Sequence, residues 1–254
     1  MTDYYKQQVI NKFENRKTFT KKDLRDFYLE YQPDLKEGTF GWYISELKKQ
    51  GVLKAAGRGI YTLCDKSKYI PMLSDSSIRT VRLLMEDFSD LKYCVWEASW
   101  LNEFSLHQTG TLFIVLEIEK ELINSVFYAL RDNKLKNLFL QPDEKEMEIY
   151  VLERESSIVL KTLITRAPLQ EIRDKRRRVS VPTLEKILVD VFCDQGMFYF
   201  YSGAETERIF ENAFNRYLVD FSRLFAYAGR RGREKELRGF VTQNFQPLVE
   251  SILT

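Results

Sequence analysis

Apolar residues recur at Tyr5, Val9, Ile10 and Phe13, the three-and-four spacing of a single helix face, and predict a first amphipathic helix. A second start follows in "TFTKKDLRDFYLEY". Thr20 stands at a capping position, Asp23 sits three residues on as in a capping box, and Leu24, Phe27, Tyr28 and Tyr31 form the apolar stripe. "YQPDLKEG" reads as a turn closed by Pro33 and Gly38. Thr39 is expected to cap a third helix running to about Gln50, with Phe40, Ile44 and Leu47 facing inward and Gly51 as its C′ stop. The period then drops to two: "VLKAAGRGIYTL" predicts two short strands around a Gly57–Arg58–Gly59 turn. Three helices followed by a β-hairpin is the order of a winged helix-turn-helix, assigned here to residues 1–65.

Residues 66–91 read as a junction, with Pro71, the turn "LSDSS" and a helical run "IRTVRLLMEDF". Beyond it the pattern changes. "YCVWEA", "TGTLFIVLEI", "NLFLQP", "MEIYVLE" and "SIVLKTLI" are short runs rich in β-branched and aromatic residues, interrupted by the helical "EKELINSVFYALRDN". From Val181 onward the pattern is helical, with Pro182 at an N1 position. The predicted class is α+β: an N-terminal winged helix-turn-helix, then a mixed α/β domain over 92–254 ending in a helical C-terminal region.

Composition narrows the class. The chain has 254 residues, 44% hydrophobic and 30% charged, which suits a folded protein with a proper core. No apolar run approaches the roughly 20 residues that cross a bilayer, and the opening "MTDYYKQQVINKFENRK" is unlike a secretory signal. Three widely spaced cysteines, Cys64, Cys94 and Cys193, predict neither disulfides nor a zinc cluster, and a cytoplasmic location. Net charge is only +2, but it is segregated. Residues 1–64 carry 12 Lys+Arg against 8 Asp+Glu, 161–178 carry 7 against 2, and 137–157 carry 2 against 6.

Those basic blocks lie where contacts to phosphate are wanted. In a helix-turn-helix the helix after the turn enters the major groove. Its outer face here holds Thr39, Trp42, Tyr43, Glu46 and Lys49. Thr39 and Tyr43 can bond phosphate or base, and Trp42 can pack on sugar or a thymine methyl. Lys21, Lys22, Lys36, Lys48 and Lys49 are candidates for the phosphate backbone, and Arg58 at the wing tip for the adjacent groove. Glu46 repels phosphate and must accept from a cytosine, pair with a lysine or point away. A second basic run, "RDKRRRVSVP", holds Arg173, Lys175, Arg176, Arg177 and Arg178; it is either a solvated loop or a second phosphate strip. Arg230, Arg231 and Arg233 in "YAGRRGREKELRG" either rim a partner surface or decorate helix ends. No catalytic set can be assembled around His107, the sole histidine. Asp143 and Lys145 lie in a turn-like polar run rather than the strand a metal-dependent nuclease needs. The expectation is no enzyme, no cofactor and no metal.

The runs "FTKKDLRDFYLEY", "GTFGWYISELKKQGVLKAAGRGIYTL", "IVLKTLITRAPLQ", "VSVPTLEKILVDVFCD" and "LFAYAGRRGREKELRGF" resemble the AbiEi family, the antitoxins and transcriptional regulators of bacterial type IV toxin–antitoxin and phage-defence pairs. The middle region, from "YCVWEASWLNEF" to "MEIYVLE", differs from that family in length and content. The resemblance implies an N-terminal domain that binds double-stranded DNA at its own promoter through Thr39 to Lys49 and Arg58. It also implies a C-terminal domain needed for antitoxicity, and a nucleotidyltransferase-like toxin countered without a tight complex. The alternative reading of the residues is a winged helix that docks another protein instead of DNA.

Overall fold

The computed structural model describes residues 3–16, 18–57, 59–64, 66–106, 113–133, 135–174 and 177–245. Its chain divides into two compact units. The first comprises residues up to Lys68, a return segment Asn215–Leu218, and the chain from Val241; the second holds Tyr69–Phe214 and Val219–Phe240. The expected junction is therefore split, with 66–68 in the first unit and 69–91 in the second, and the first unit recruits two pieces from the far end of the sequence.

In the first unit, helix α1 (Asp3–Phe13) is followed by the short strand β1 (Phe19–Thr20), α2 (Lys21–Tyr31), α3 (Glu37–Lys49) and the hairpin β2 (Leu53–Gly57) and β3 (Ile60–Leu63). The strands form one antiparallel sheet in the order β1-β3-β2, pairing Phe19 with Tyr61 and Leu53 with Leu63. Thr20 caps α2 as expected: its hydroxyl accepts from the Asp23 N–H, and the Asp23 carboxylate accepts from the Thr20 N–H at 2.7 Å. Val9, Phe13, Phe19, Leu24, Phe27, Tyr28, Phe40, Leu47 and Tyr61 make the core. Gly51 stands at C′ of α3 with φ +71, and a Cβ there would lie 2.8 Å from Leu218 Cδ2. The left-handed backbone favours glycine, and any Cβ would also push Leu218 aside. The return segment is held by a backbone bond from Leu218 N–H to the Ser67 carbonyl at 2.9 Å.

The second unit begins with α4 (Asp75–Asp87), β4 (Tyr93–Glu97), a 3-10 turn (Ala98–Glu103), β5 (Phe113–Ile118), α5 (Ile123–Asp132) and β6 (Leu138–Leu140). A short helix α6 (Glu144–Glu146) runs into a π-helical turn (Met147–Val151), and β7 (Ser157–Thr162) completes a sheet ordered β4-β5-β7-β6. β5, β7 and β6 are parallel and β4 is antiparallel to β5. The unbroken apolar runs reflect burial of β4 and β5 at every residue. A separate hairpin, β8 (Leu169–Asp174) and β9 (Arg177–Pro182), leads into α7 (Leu184–Cys193). Then come a 3-10 turn (Tyr199–Tyr201), α8 (Ala204–Arg216), α9 (Phe221–Arg230) and α10 (Glu234–Asn244). Pro182 ends β9 and Thr183 is the N-cap of α7, so the proline lies before the helix rather than at N1.

Helix α7 is buried from Leu184 to Val191, its charged residues included. Lys186, wholly buried, donates to Glu117 Oε1 of β5 at 2.6 Å and to Asp190 one turn on. Trp96 Nε1 donates to the same Glu117 oxygen at 3.2 Å, and the Tyr227 hydroxyl to Asp190 at 2.9 Å. Arg231 bridges Asp190, at 3.1 Å, to Asp194, which also pairs with Lys161 of β7. Three cations and three carboxylates thus balance inside the unit. Burial pulls the Lys186 pKa down, but Asp190 and then Glu117 outweigh it and hold the ammonium well above its ordinary 10.5. Its charge therefore persists across the neutral range and is lost only in strong alkali.

Lys186→Met leaves Glu117 and Asp190 without a counter-charge and is expected to destabilise the protein by about 3–5 kcal/mol, read from urea unfolding. Burial raises the Asp194 carboxyl, yet Lys161 and then Arg231 overcome that and set it below its usual 3.8. Its pairs stabilise the fold at neutral pH and fade as pH falls through that depressed value. Melting temperature followed down to about pH 3 should drop, and Asp194→Asn should flatten the acid end of the curve.

Candidate nucleic-acid interface

Phe40, Ile44 and Leu47 turn one side of α3 into the core, which leaves Gly38, Thr39, Gly41, Trp42, Ser45, Lys48 and Lys49 exposed on the other. Trp42 is 48% exposed. Two observations mark the start of this helix. The N-cap is Lys36, not Thr39, and no side chain caps the first N–H groups; Thr39 lies inside the first turn. Gly38 also lies inside the helix instead of closing the preceding turn. Neither Gly38 nor Gly41 has any atom within 4 Å of where a Cβ would stand. Nothing within the described residues demands glycine at either position.

The elements around α3 are tied together through Lys21. Its N–H donates to the Gly59 carbonyl at the hairpin turn at 2.7 Å, and its Nζ pairs with Glu37 at 2.7 Å in the first turn of α3. Arg25 approaches Glu37 at 3.5 Å. The Lys21 hydrogen bond, reinforced by its charge and by Arg25, keeps the Glu37 carboxyl below its ordinary value. The starts of α2 and α3 and the turn of the hairpin therefore meet on one side of the unit. Lys22 and Lys36 are exposed beside them. Arg58 itself, the expected wing-tip contact, lies outside the described residues.

At the far end of α3, Lys49 pairs with Glu46 at 3.0 Å, and Lys48 lies over the Tyr61 ring at 5.0 Å. Glu46 thus has a lysine partner, one of the three roles open to it. These exposed ion pairs are weak, of order 0–1 kcal/mol, and a phosphate can displace the carboxylate. Tyr43 has a different place from the one expected. Its ring packs on Tyr28, with centroids 4.9 Å apart, and its hydroxyl donates to Gln32 Oε1 at 3.1 Å. It is a half-buried support for Trp42, whose ring lies 5.6 Å away.

The second basic run is a hairpin rather than a solvated loop. Arg173 of β8 pairs in register with Arg178 of β9, and both are exposed with Arg177; Lys175 and Arg176 lie outside the described residues. Arg178 pairs with Glu171 at 3.2 Å. Arg230 is exposed at the end of α9. Arg231 corrects the expectation of a surface rim or a helix-end ornament, because the buried Asp190 and the partly buried Asp194 hold it inside. Arg233 is half-buried, its guanidinium 5.9 Å from the Phe192 ring centre and 3.5 Å from Glu236. Asp143 serves as the N-cap of α6, accepting from the Glu146 N–H at 2.8 Å. His107 lies outside the described residues.

A family model described as "Family of unknown function (DUF6577)" matches residues 39–247. The chain belongs to this family. The DUF6577 match opens at Thr39, on the exposed face of α3, and takes in the hairpin and all of the second unit. A comparison with curated proteins finds no match.

Lys36 already has the extended backbone of an N-cap (φ −72, ψ 146). Lys36→Ser is therefore expected to supply the missing cap and raise stability by about 0.5–1 kcal/mol in chemical denaturation. Tyr43→Phe, which keeps the ring and loses the bond to Gln32, should lower it by about 1 kcal/mol.

Proposed function

We propose that the first unit is a winged helix-turn-helix that sets α3 into the major groove of duplex DNA, flanked by the β2–β3 hairpin. One observation carries this reading: the first half of α3 is composed against its own stability. A lysine stands at the positive end of the helix dipole, the cap is missing, and Gly41 costs about 1 kcal/mol relative to alanine in a helix interior. A large indole is left half in water. Each of these becomes useful against DNA. Lys36 and the uncapped N–H groups suit a phosphate, the absent Cβ atoms allow close approach of the sugar–phosphate backbone, and Thr39 and Trp42 meet base edges.

On this reading the protein is an AbiEi-type regulator that represses its own promoter. It acts as the antitoxin to a nucleotidyltransferase-like toxin in the cytoplasm, without a tight complex between the two. The resemblance of the α3, hairpin and α7 sequences supports that role. Among the described residues no helix is long and apolar enough to cross a membrane. A second reading has its own support: Ile60, 40% exposed on the hairpin, adds to Trp42 as apolar surface suited to docking a protein.

Fluorescence anisotropy on the DNA upstream of its own gene separates the two. DNA binding predicts affinity that falls steeply with salt as counterions are released. Lys49→Ala and Arg58→Ala should weaken binding for all sequences, whereas Trp42→Ala should change sequence preference. Gly41→Ala should stabilise the fold by up to about 1 kcal/mol while weakening DNA binding severalfold. Gly41→Ala and Lys36→Ser proteins that are more stable and bind DNA undiminished would defeat the proposal.

A further inference from the structure

An open cleft of about 1080 Å³ lies in the second unit, beyond the carboxyl ends of the adjacent parallel strands β5 and β7. Its wall is made by the segments that follow them, Glu119–Glu121 and Leu163–Ala167, and by the β8–β9 hairpin. This edge of an α/β sheet is where loops and unpaired backbone N–H groups gather, and where ligands usually sit. Its volume is just above the upper end of the range of small-molecule sites, roughly 300–1,000 Å³, so a ligand would fill part of it. Leu91, Leu163, Ile164 and Leu169 give it an apolar floor.

Three arginines reach this cleft from three different segments: Arg166 after β7, Arg178 on β9 and, from much later in the chain, Arg230 at the end of α9. Arg166 has φ +55, a left-handed backbone that costs a side-chain-bearing residue about 1–2 kcal/mol. Non-glycine residues held this way cluster at ligand clamps. Among the described residues, neither Arg166 nor Arg230 makes an ion pair, and Arg178 has only the exposed Glu171, 3.2 Å away, which a stronger anion displaces. Lys92 is matched by Glu119 at 3.7 Å. Asp90 and Glu121, also on the wall, are acceptors of the kind that bind sugar hydroxyls.

We propose that this cleft binds a nucleotide, with its phosphates on Arg166, Arg178 and Arg230, its ribose against the acidic wall and its base on the apolar floor. Planar guanidinium forks suit phosphate oxygens bidentately, and the mixture of arginine, carboxylate and apolar surface matches the three parts of one such molecule. The proposal stands apart from duplex recognition, because every residue in it belongs to the second unit.

Titration calorimetry of the full chain tests it, using ADP, GDP, CDP and UDP, with the nucleosides, inorganic pyrophosphate and a DNA duplex as separate arms. At least one nucleoside diphosphate should bind in the micromolar range, and pyrophosphate or nucleoside alone about tenfold or more weaker. Arg166→Gly relieves the left-handed strain, so it should leave the melting temperature unchanged or raised while weakening nucleotide binding about tenfold or more. Arg230→Ala should weaken binding likewise, and Arg173→Ala, on the same hairpin but not in the cleft wall, should leave it intact. The proposal is overturned if no nucleotide binds below about 1 mM, or if pyrophosphate binds as tightly as the nucleotide. It is also overturned if Arg166→Gly leaves nucleotide affinity unchanged, or if that variant loses duplex binding and not nucleotide binding.

Discussion

The buried ammonium of Lys186 is the constraint around which the second unit is organised. An ion with no water near it is tolerable only if its partners stand at fixed distances. Glu117 fixes where β5 lies against α7, and Asp190, one turn along the same helix, gives the ammonium its second carboxylate. The same Asp190 receives Tyr227 and Arg231 and so sets α9 against α7, while Arg231 and Lys161 converge on Asp194. Removing any one member of this chain of alternating charges leaves its neighbour buried without a partner.

The first unit has the opposite character. Its core is aromatic and aliphatic, with Phe13 stacked on Phe19 at 4.0 Å and Tyr28 edge-on to Phe40, and its charges lie outside in exposed pairs. Stability is concentrated in that core and in the capping box of α2. The outer face of α3 is left free to depart from what a helix prefers. A rigid interior carrying an exposed helix face poor in helix-favouring residues is the pattern expected when composition answers to a partner.

Local signals were legible in the sequence. The Thr20–Asp23 box, the Gly51 stop and the period-two run of the hairpin each depend on residues close in the chain, and each lies where the pattern places it. Where the reading failed, the deciding partner was remote. Thr39 has the chemistry of a cap, but α3 starts two residues earlier, where Glu37 meets Lys21 and Arg25 from α2. Arg231 resembles the surface arginines beside it, and only Asp190 and Asp194, 41 and 37 positions away, take it inside. "TLEKILVD" looks amphipathic because its charges cannot reveal that they are paired in the interior. The basic run at 173–178 gave no strand signal, since it holds the charged, outward-facing part of that hairpin, and the buried residues of β9, Val179, Val181 and Pro182, follow it.

The path of the chain has a consequence for how this molecule can be divided. The amino-terminal unit is completed by Asn215–Leu218, whose backbone bonds to Ser67 and whose leucine rests on Gly51 at the end of α3. A polypeptide halted at Lys68 would keep α1 to α3 and the β1–β3 sheet and still lack Asn215–Leu218 and the end of α10 that complete the unit. The two units are braided by the thread that makes them, so neither can have been acquired, exchanged or shed in evolution by a single cut.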